Sequence, residues 1–196
     1  KMVDAIYSSS SKIYQLLENL LLWSRSQMNS IKIHPEIIQL KPLVTGIFNL
    51  LENAISYKKN TAKIEIKENI HCFADTTILS TVIRNLIMNA NKYTENGTLK
   101  VTAKEVDHLI RISVIDTGIG IPEEKVSTLF EVEKVKSTEG TRGEQGTGLG
   151  LIICKEFVER NGGKIYVESK FGTGTTITFT VPVYQKNEVF TNIDES

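Results

Sequence analysis

A glycine-rich stretch from Asp116 to Leu151 constrains the fold of this chain more than any other feature. It holds seven of the 13 glycines in the sequence. Glycine at this density permits close backbone approach and positive φ angles, but it costs conformational entropy on folding, so a purely structural role is unfavourable. We expect a loop that closes over a phosphate-bearing ligand; the alternative is a long surface connection.

Both ends of this stretch favour a ligand. Asp116 directly follows the apolar run 110–115, which predicts a carboxylate at the end of a strand. At the other end, Gly150 leads into the apolar run 151–158, which predicts a helix. The first amides of that helix would face the loop, and such amides bind phosphate.

Two common phosphate-binding motifs are excluded by spacing. A dinucleotide fingerprint that began with the glycines at 146 and 148 would need a third glycine where the chain has Leu151. A Walker loop needs Gly-Lys followed by Ser or Thr, but the Gly-Lys pair at 163–164 is followed by Ile165. The sequence therefore requires a different nucleotide fold.

Composition excludes several other classes of protein. The chain has 40% hydrophobic residues, and 23 Lys and Arg balance 23 Asp and Glu, so no basic field would attract nucleic acid. Cys72 and Cys154 are predicted as core residues of a reduced domain, and the three histidines share no metal-ligand spacing. No membrane span or signal peptide is visible, so we expect a cytoplasmic location.

The chain divides into four segments. Residues 1–34 predict a long helix whose apolar stripe is too wide for a lone surface helix, so it needs a second copy or a partner helix elsewhere. The alternative is that it folds back on the main domain. Residues 35–41 are predicted as a linker, 42–184 as a compact domain and 185–196 as a polar tail.

The compact domain alternates helical and strand patterns without a repeated parallel βαβ unit, which predicts an α+β class with helices on one face of a sheet. Asp75 is predicted to cap a strong helix that ends near Tyr93. The first helix is predicted to bury Leu43, Ile47, Leu50, Leu51 and Ala54. Strands are predicted at 62–67, 70–74, 98–106, 109–115, 164–169 and 175–183, and further helices at 123–130 and 149–161.

The helix after Asp75 carries an unusual polar stripe. Asn85, Asn89 and Lys92 recur at helical spacing on an otherwise apolar element. Amide oxygens suit Mg²⁺ and lysine suits phosphate, so the group matches a metal-nucleotide site, and Tyr93 could stack on a base. The alternative is a solvated face with an accidental pair of asparagines.

These motifs resemble those of the sensor histidine kinases. Residues 85–94 resemble the N box, 116–121 the G1 box, Phe130 the F box and 146–151 the G2 box, while 172–176 resemble a glycine-threonine motif near the end of these domains. The resemblance covers residues 40–183 in the family's order. It implies the Bergerat ATP-binding fold of the GHKL superfamily, a two-layer α/β sandwich with a mixed, mostly antiparallel sheet, here preceded by a long N-terminal helix.

The resemblance also implies roles for individual residues. Asp116 would accept the adenine amino group, Thr176 would support the adenine end, and Asn89, assisted by Asn85, would hold Mg²⁺ on the phosphates with Lys92 nearby. Between the G1 and G2 boxes lies an ATP lid, whose Lys134, Lys136 and Arg142 either contact phosphate or are a solvated charge run. The remaining residues implied to contact the nucleotide are Tyr93, Gly118, Gly120, Ile121, Phe130, Gly146, Thr147, Gly148, Leu149 and Gly150.

The implied activity is transfer of the ATP γ-phosphoryl group to a histidine, followed by signalling to a response-regulator receiver domain. In the ATPases and serine kinases of this superfamily, the position that matches Asn85 resembles a Glu that acts as a base and activates a nucleophile. The amide of Asn85 cannot act as that base. No histidine precedes His34, which lacks the neighbours of an acceptor site, so the acceptor is expected outside these residues. Segment 1–34 resembles the second helix of a dimerisation hairpin, which implies a homodimer.

Two alternatives stay open at this stage. The first is a nucleotide-sensing module without transfer activity, because the acceptor motif is missing and no second aromatic follows Phe130 closely. The second is an ATPase or serine kinase of the same superfamily.

Overall fold

The computed structural model describes residues 33–131, 138–144 and 148–183. The predicted helix over 1–34, except for its last two residues, and the predicted tail lie outside this part of the chain. None of the described helices is long and apolar enough to cross a membrane. The helices are α1 (Leu40–Tyr57), α2 (Thr76–Tyr93), α3 (Glu123–Val126) and α4 (Leu149–Arg160). The strands are β1 (Glu36–Gln39), β2 (Thr61–Glu65), β3 (His71–Ala74), β4 (Thr98–Val106), β5 (Leu109–Asp116), β6 (Ile165–Lys170) and β7 (Gly174–Pro182).

The main sheet has the strand order β2-β4-β5-β7-β6. Strand β2 runs parallel to β4, and the other neighbouring pairs in this sheet are antiparallel. The parallel pair needs a long crossover, which β3 and α2 supply. The predicted mixed, mostly antiparallel sheet is therefore confirmed.

One face of this sheet carries the core. Residues of its central strands are buried at alternate positions, as expected when a single face is covered. The buried residues on these strands are Leu99, Val101 and Ala103 of β4, Ile110, Ile112 and Val114 of β5, and Ile177, Phe179 and Val181 of β7. They join one cluster with the buried residues of α1, α2 and α4. The prediction of helices on one face is confirmed.

Local signals place the elements that surround the site. The Asp75 carboxylate accepts a hydrogen bond from the Ile78 amide at 3.0 Å, so the predicted N-cap of α2 is confirmed. Asp107 and His108 both have positive φ angles in the two-residue turn between β4 and β5. That geometry matches the right-handed twist of the hairpin strands. The predicted hairpin brings Asp116, the last residue of β5, to the end of α2.

Two predictions near the start of the domain need correction. Residues 36–39, assigned to a linker, form β1, which pairs with β3. The predicted buried face of α1 is also wrong in part, because Leu50 is 71% exposed and Ala54 is exposed. The helix begins directly after β1 with the fully buried Leu40. The buried face of the helix therefore includes its first residue. The face it buries carries Leu40, Val44, Ile47, Phe48 and Ile55.

Both predicted core cysteines are buried free thiols. Burial raises the pKa of each thiol to about 12. Helix α3 is shorter than predicted and ends at Val126, and the chain continues to Phe130 in turns.

Candidate functional site

Asp116 is a half-buried carboxylate held in one orientation. Its Oδ1 accepts the amide of Gly118 at 2.9 Å and the amide of Thr175 at 3.2 Å. Burial raises the pKa of Asp116, and those two amides and the neighbouring Thr94 hydroxyl oppose the rise without cancelling it. Because both backbone bonds use Oδ1, the carboxylate can offer Oδ2 to a ligand donor.

Gly118 and Gly120 are needed by the protein backbone itself. A Cβ on Gly118 would lie 2.2 Å from the Tyr93 carbonyl oxygen. Gly120 has φ +65°, and a Cβ there would lie 2.1 Å from the Lys170 carbonyl oxygen. The loop after Asp116 is thus packed between the end of α2 and the turn that joins β6 to β7.

We expect Gly118→Ala to lower the free energy of unfolding by about 2 kcal/mol or more, because the methyl group cannot fit beside the Tyr93 carbonyl unless the backbone moves. Urea unfolding followed by circular dichroism measures this change. Gly46→Ala is the matched control, since Gly46 is on α1 with nothing within 4 Å of its would-be Cβ. That substitution should stabilise the protein by about 0.5–1 kcal/mol. Equal effects at the two positions would contradict the packing role.

Thr176, predicted at the adenine end, lies on the other face of the sheet from Asp116. The register pairs Asp116 with Thr175, and Ile115 with Thr176. Since neighbouring residues of a strand point to opposite faces, Thr175 shares the helix-covered face with Asp116. Its hydroxyl lies 2.9 Å from the Ser169 hydroxyl. The structure therefore brings Thr175 to this group and leaves Thr176 away from it.

Asn85 and Asn89 lie on the side of α2 that packs against α4. Asn85 is 8% exposed, and its Nδ2 is buried without a hydrogen bond of normal geometry to any described residue, although it lies beside the Cys154 thiol. The Asn89 Nδ2 lies 3.9 Å from where a Cβ on Gly150 would be. A half-turn of either amide exchanges its oxygen with its nitrogen, so both side chains can present an acceptor here.

Lys92 and Tyr93 reach a different group. The Lys92 ammonium donates to the Thr138 carbonyl at 2.7 Å and lies 4.8 Å from the centre of the Tyr93 ring. The Tyr93 hydroxyl donates to the same carbonyl at 3.2 Å. Both side chains at the end of α2 thus contact residues 138–144, which we call the lid segment.

The start of α4 has no side-chain cap. Gly148 precedes the helix with φ 75° and has no side chain to cap the first amides. Leu149 and Gly150 begin the helix and are half-buried. The amides and the dipole of a helix start favour phosphate. Gly146 and Thr147, predicted to bind phosphate too, lie outside the described residues.

Three further predicted residues lie at the margins of the site. The Ile121 amide donates to the Ser169 hydroxyl at 2.8 Å, which ties the loop to β6. Phe130 lines a groove of about 460 Å³ along α4 and does not join Asp116. Arg142 pairs with Glu95 at 2.7 Å, while Lys134 and Lys136 lie outside the described residues.

Sequence reasoning missed Thr94, Thr175 and Lys58. Thr94 is fully buried beside Asp116. It directly follows Tyr93 at the end of the predicted polar stripe, and this position could have indicated a place in the site. Strand alternation puts Thr175 on the same face as the core residues of β7, but only the register with β5 places it beside Asp116. Lys58 belongs to a pair of adjacent lysines, a pattern that is typical of exposed positions. No signal in the sequence indicates that its side chain is buried.

A family model described as histidine kinase-, DNA gyrase B- and HSP90-like ATPase matches residues 74–185, more than half of the chain. The chain belongs to this family of ATPases. Membership makes the compact part an ATP-binding domain, and the matched region contains Asn85, Asn89, Asp116 and the start of α4.

Relatives of this ATPase-family chain include sensor histidine kinases. It is 32% identical over 188 residues to the sensor histidine kinase WalK of Bacillus subtilis, and the match covers 92% of this chain but 30% of WalK. The solved catalytic domain of the histidine kinase ThkA matches with a TM-score of 0.66 and 31% identity, covering 76% of this chain and 96% of that domain. A structure of ThkA in complex with the response regulator TrrA matches with a TM-score of 0.71 and 25% identity, covering 96% of this chain and 52% of that one.

Proposed function

We propose that this chain is the ATP-binding catalytic portion of a sensor histidine kinase and transfers the ATP γ-phosphoryl group to a histidine outside these residues. The observation that carries the proposal is that Asn85 and Asn89 lie against α4, Asn85 beside Cys154 and Asn89 beside Gly150 in the first turn. Acceptor side chains next to a helix start suit a metal-bound triphosphate. In the related ATPases and serine kinases, the position that matches Asn85 resembles a Glu that acts as a base. An amide cannot activate water in this way.

The adenine end would lie at Asp116. Its Oδ2 would accept the adenine amino group, while the amides of Gly118 and Thr175 hold the carboxylate through Oδ1. A half-buried, charged acceptor makes a stronger hydrogen bond than a neutral one. Thr175, rather than Thr176, is the threonine we propose to support this end.

The phosphate end would lie between α2 and α4. The side-chain oxygens of Asn89 and Asn85 would hold Mg²⁺, because amide oxygens are ligands that this cation accepts. Mg²⁺ bound to the phosphates supplies charge neutralisation for phosphoryl transfer. The start of α4 would orient the phosphates, and Lys92 in the last turn of α2 would add a positive charge.

The partners and the location of the whole protein are proposed from its relatives. The solved complex of ThkA with TrrA supports a response-regulator receiver as the next acceptor. A homodimer through residues 1–34 stays a prediction, because almost all of that segment lies outside the described residues. An ATP site fits a cytoplasmic location.

The deciding test mixes the chain with γ-labelled ATP, Mg²⁺ and a longer form of the protein that carries the acceptor histidine and its own Asn89→Ala substitution. Label on a histidine of the longer form, stable to alkali and lost in acid, is the expected result. ATP binding without transfer would favour the nucleotide-sensing module. Steady release of free phosphate without an acceptor would favour an ATPase instead.

A further inference from the structure

Lys58 is a buried cation with three acceptors. It follows the last residue of α1 and is 2% exposed. Its ammonium donates to the Lys92 carbonyl at 2.6 Å and to the Thr141 hydroxyl at 2.8 Å, and it forms an ion pair with Glu144 Oε1 at 2.6 Å. An ammonium has three donors, so all of them are used. A fully satisfied buried lysine is a specific structural device, because an unpaired one would be strongly unfavourable.

These three acceptors belong to two parts of the site. Lys92 is in the last turn of α2, whereas Thr141 and Glu144 are in the lid segment. The Thr141 amide donates to the same Lys92 carbonyl at 3.1 Å, so lysine and threonine share one acceptor. Lys58 therefore fastens the lid segment to the end of α2.

The surrounding contacts make this attachment close. A Cβ on Gly140 would lie 2.8 Å from the Lys92 carbonyl oxygen and 2.4 Å from Glu144 Oε2, so a side chain there would require the lid segment to shift away from α2. Glu144 in turn has a lowered pKa: burial alone would raise it, but the hydrogen bonds from Lys58 and from the Arg142 amide outweigh that effect. The carboxylate is therefore held in its charged form against Lys58.

A second contact holds the outside of the lid segment. The Arg142 guanidinium donates to Glu95 Oε1 at 2.7 and 3.0 Å, and it lies 4.5 Å from the centre of the Tyr57 ring. Tyr57 is the last residue of α1, directly before Lys58. The end of α1 thus holds the lid segment from within through Lys58 and from the surface through Tyr57.

We propose that Lys58 is a positioning residue for the triphosphate end of the nucleotide site. This inference rests on the proposed ATP site. The lid segment that Lys58 holds contacts Lys92, which we place at the phosphates, and it is followed along the chain by the start of α4, which we place there too. The adenine end is built differently, since Asp116 takes its backbone bonds from Gly118 and Thr175, and neither contacts the Lys58 side chain. Lys58 should therefore matter for phosphates and not for the base.

The test compares ATP with adenosine, which lacks the phosphates. In Lys58→Met, a change that keeps most of the length of the side chain, we expect the dissociation constant for ATP with Mg²⁺ to rise about fivefold, an effect of the size of one ordinary hydrogen bond. The constant for adenosine should change by less than about twofold, because the base contacts are untouched. Isothermal titration calorimetry measures both constants.

Lys59→Met is the matched control, because this neighbouring lysine is exposed and should leave both constants unchanged. A parallel loss of ATP and adenosine affinity in Lys58→Met, or no loss of either, would overturn the positioning role. Failure of the unmodified chain to bind ATP would instead overturn the proposed function.

A second variant keeps the inference testable if Lys58→Met does not fold. Glu144→Gln removes only the charge of the partner, and we expect the same selective loss of ATP affinity. In a folded double variant the two losses should not add, because both substitutions break one interaction. Additive losses, or a Glu144→Gln variant with unchanged ATP affinity, would contradict the proposal.

Discussion

Asn89→Ala should lower the rate of phosphoryl transfer from ATP about a hundredfold or more, since even partners that only support a metal ligand are worth about 10- to 100-fold. Asn89 lies on the stripe of α2 that faces the first turn of α4, where Gly150 leaves space beside its amide. Alanine removes the acceptor and leaves the helix intact, because alanine favours the helical state. The loss should therefore be chemical and not structural.

The binding readout for Asn89→Ala is independent of transfer. In the unmodified chain we expect ATP to bind more tightly with Mg²⁺ than with a chelator, and in the variant this difference should largely vanish. Asn91→Ala is the control, because Asn91 faces α1, where it donates to the Ala54 carbonyl at 3.1 Å and accepts from Asn60 at 2.9 Å. The control should lose stability and keep its response to Mg²⁺. An unchanged Mg²⁺ response in Asn89→Ala would remove this residue from the metal site.

Asp116→Asn should weaken ATP binding about 10- to 100-fold, the range expected when a charged acceptor becomes a neutral amide. The same substitution should leave the thermal midpoint unchanged or raise it. Burial raises the pKa of Asp116, so between the ordinary pKa and the raised pKa the folded state binds the proton more tightly than the unfolded state. Stability therefore falls as pH rises through this interval, and a neutral side chain avoids that loss.

Measurements across pH separate the two effects of Asp116. The ATP affinity of the unmodified chain should fall as pH drops through the raised pKa, because protonation removes the charged acceptor, whereas Asp116→Asn should bind weakly at every pH. Asp107→Asn makes the same change of net charge in the exposed β4–β5 turn and should leave affinity unaltered. Full ATP affinity in Asp116→Asn would exclude this carboxylate from base recognition.

Much of this site could be predicted because its signals are local. The stripe of Asn85, Asn89 and Lys92 follows from helical spacing alone, and Asp116 is placed by the strand that directly precedes it. The Asp75 cap and the turn at Asp107 are also decided by neighbouring residues. The structure places the two asparagines, Asp116, the cap and the turn where these patterns indicated them, whereas the Lys92 side chain contacts the lid segment.

The errors share a different cause. Strand β1 is a four-residue strand whose hydrogen bonds go to β3, more than thirty residues further on. Helix α1 directly follows this strand, so the strand pairing affects which face of the helix is buried. Apolar residues occur on two faces of α1, and their spacing alone does not show which face is buried. The exposed Leu50 was therefore predicted as a core residue. The predicted place of Gly118 and Gly120 beside the base stays a prediction, and the structure adds that protein carbonyl groups are the closest contacts of a Cβ at either position.

The sequence by itself determined the chemistry of this protein, since the carboxylate, the amide pair and the glycines that suit a nucleotide lie in short motifs of adjacent residues. The tertiary structure decided which further residues serve that chemistry. It placed Thr175 beside Asp116 through the register of β5 and β7, and it buried Lys58 between α2 and the lid segment. Register and burial depend on partners far away along the chain, so no local pattern contains them.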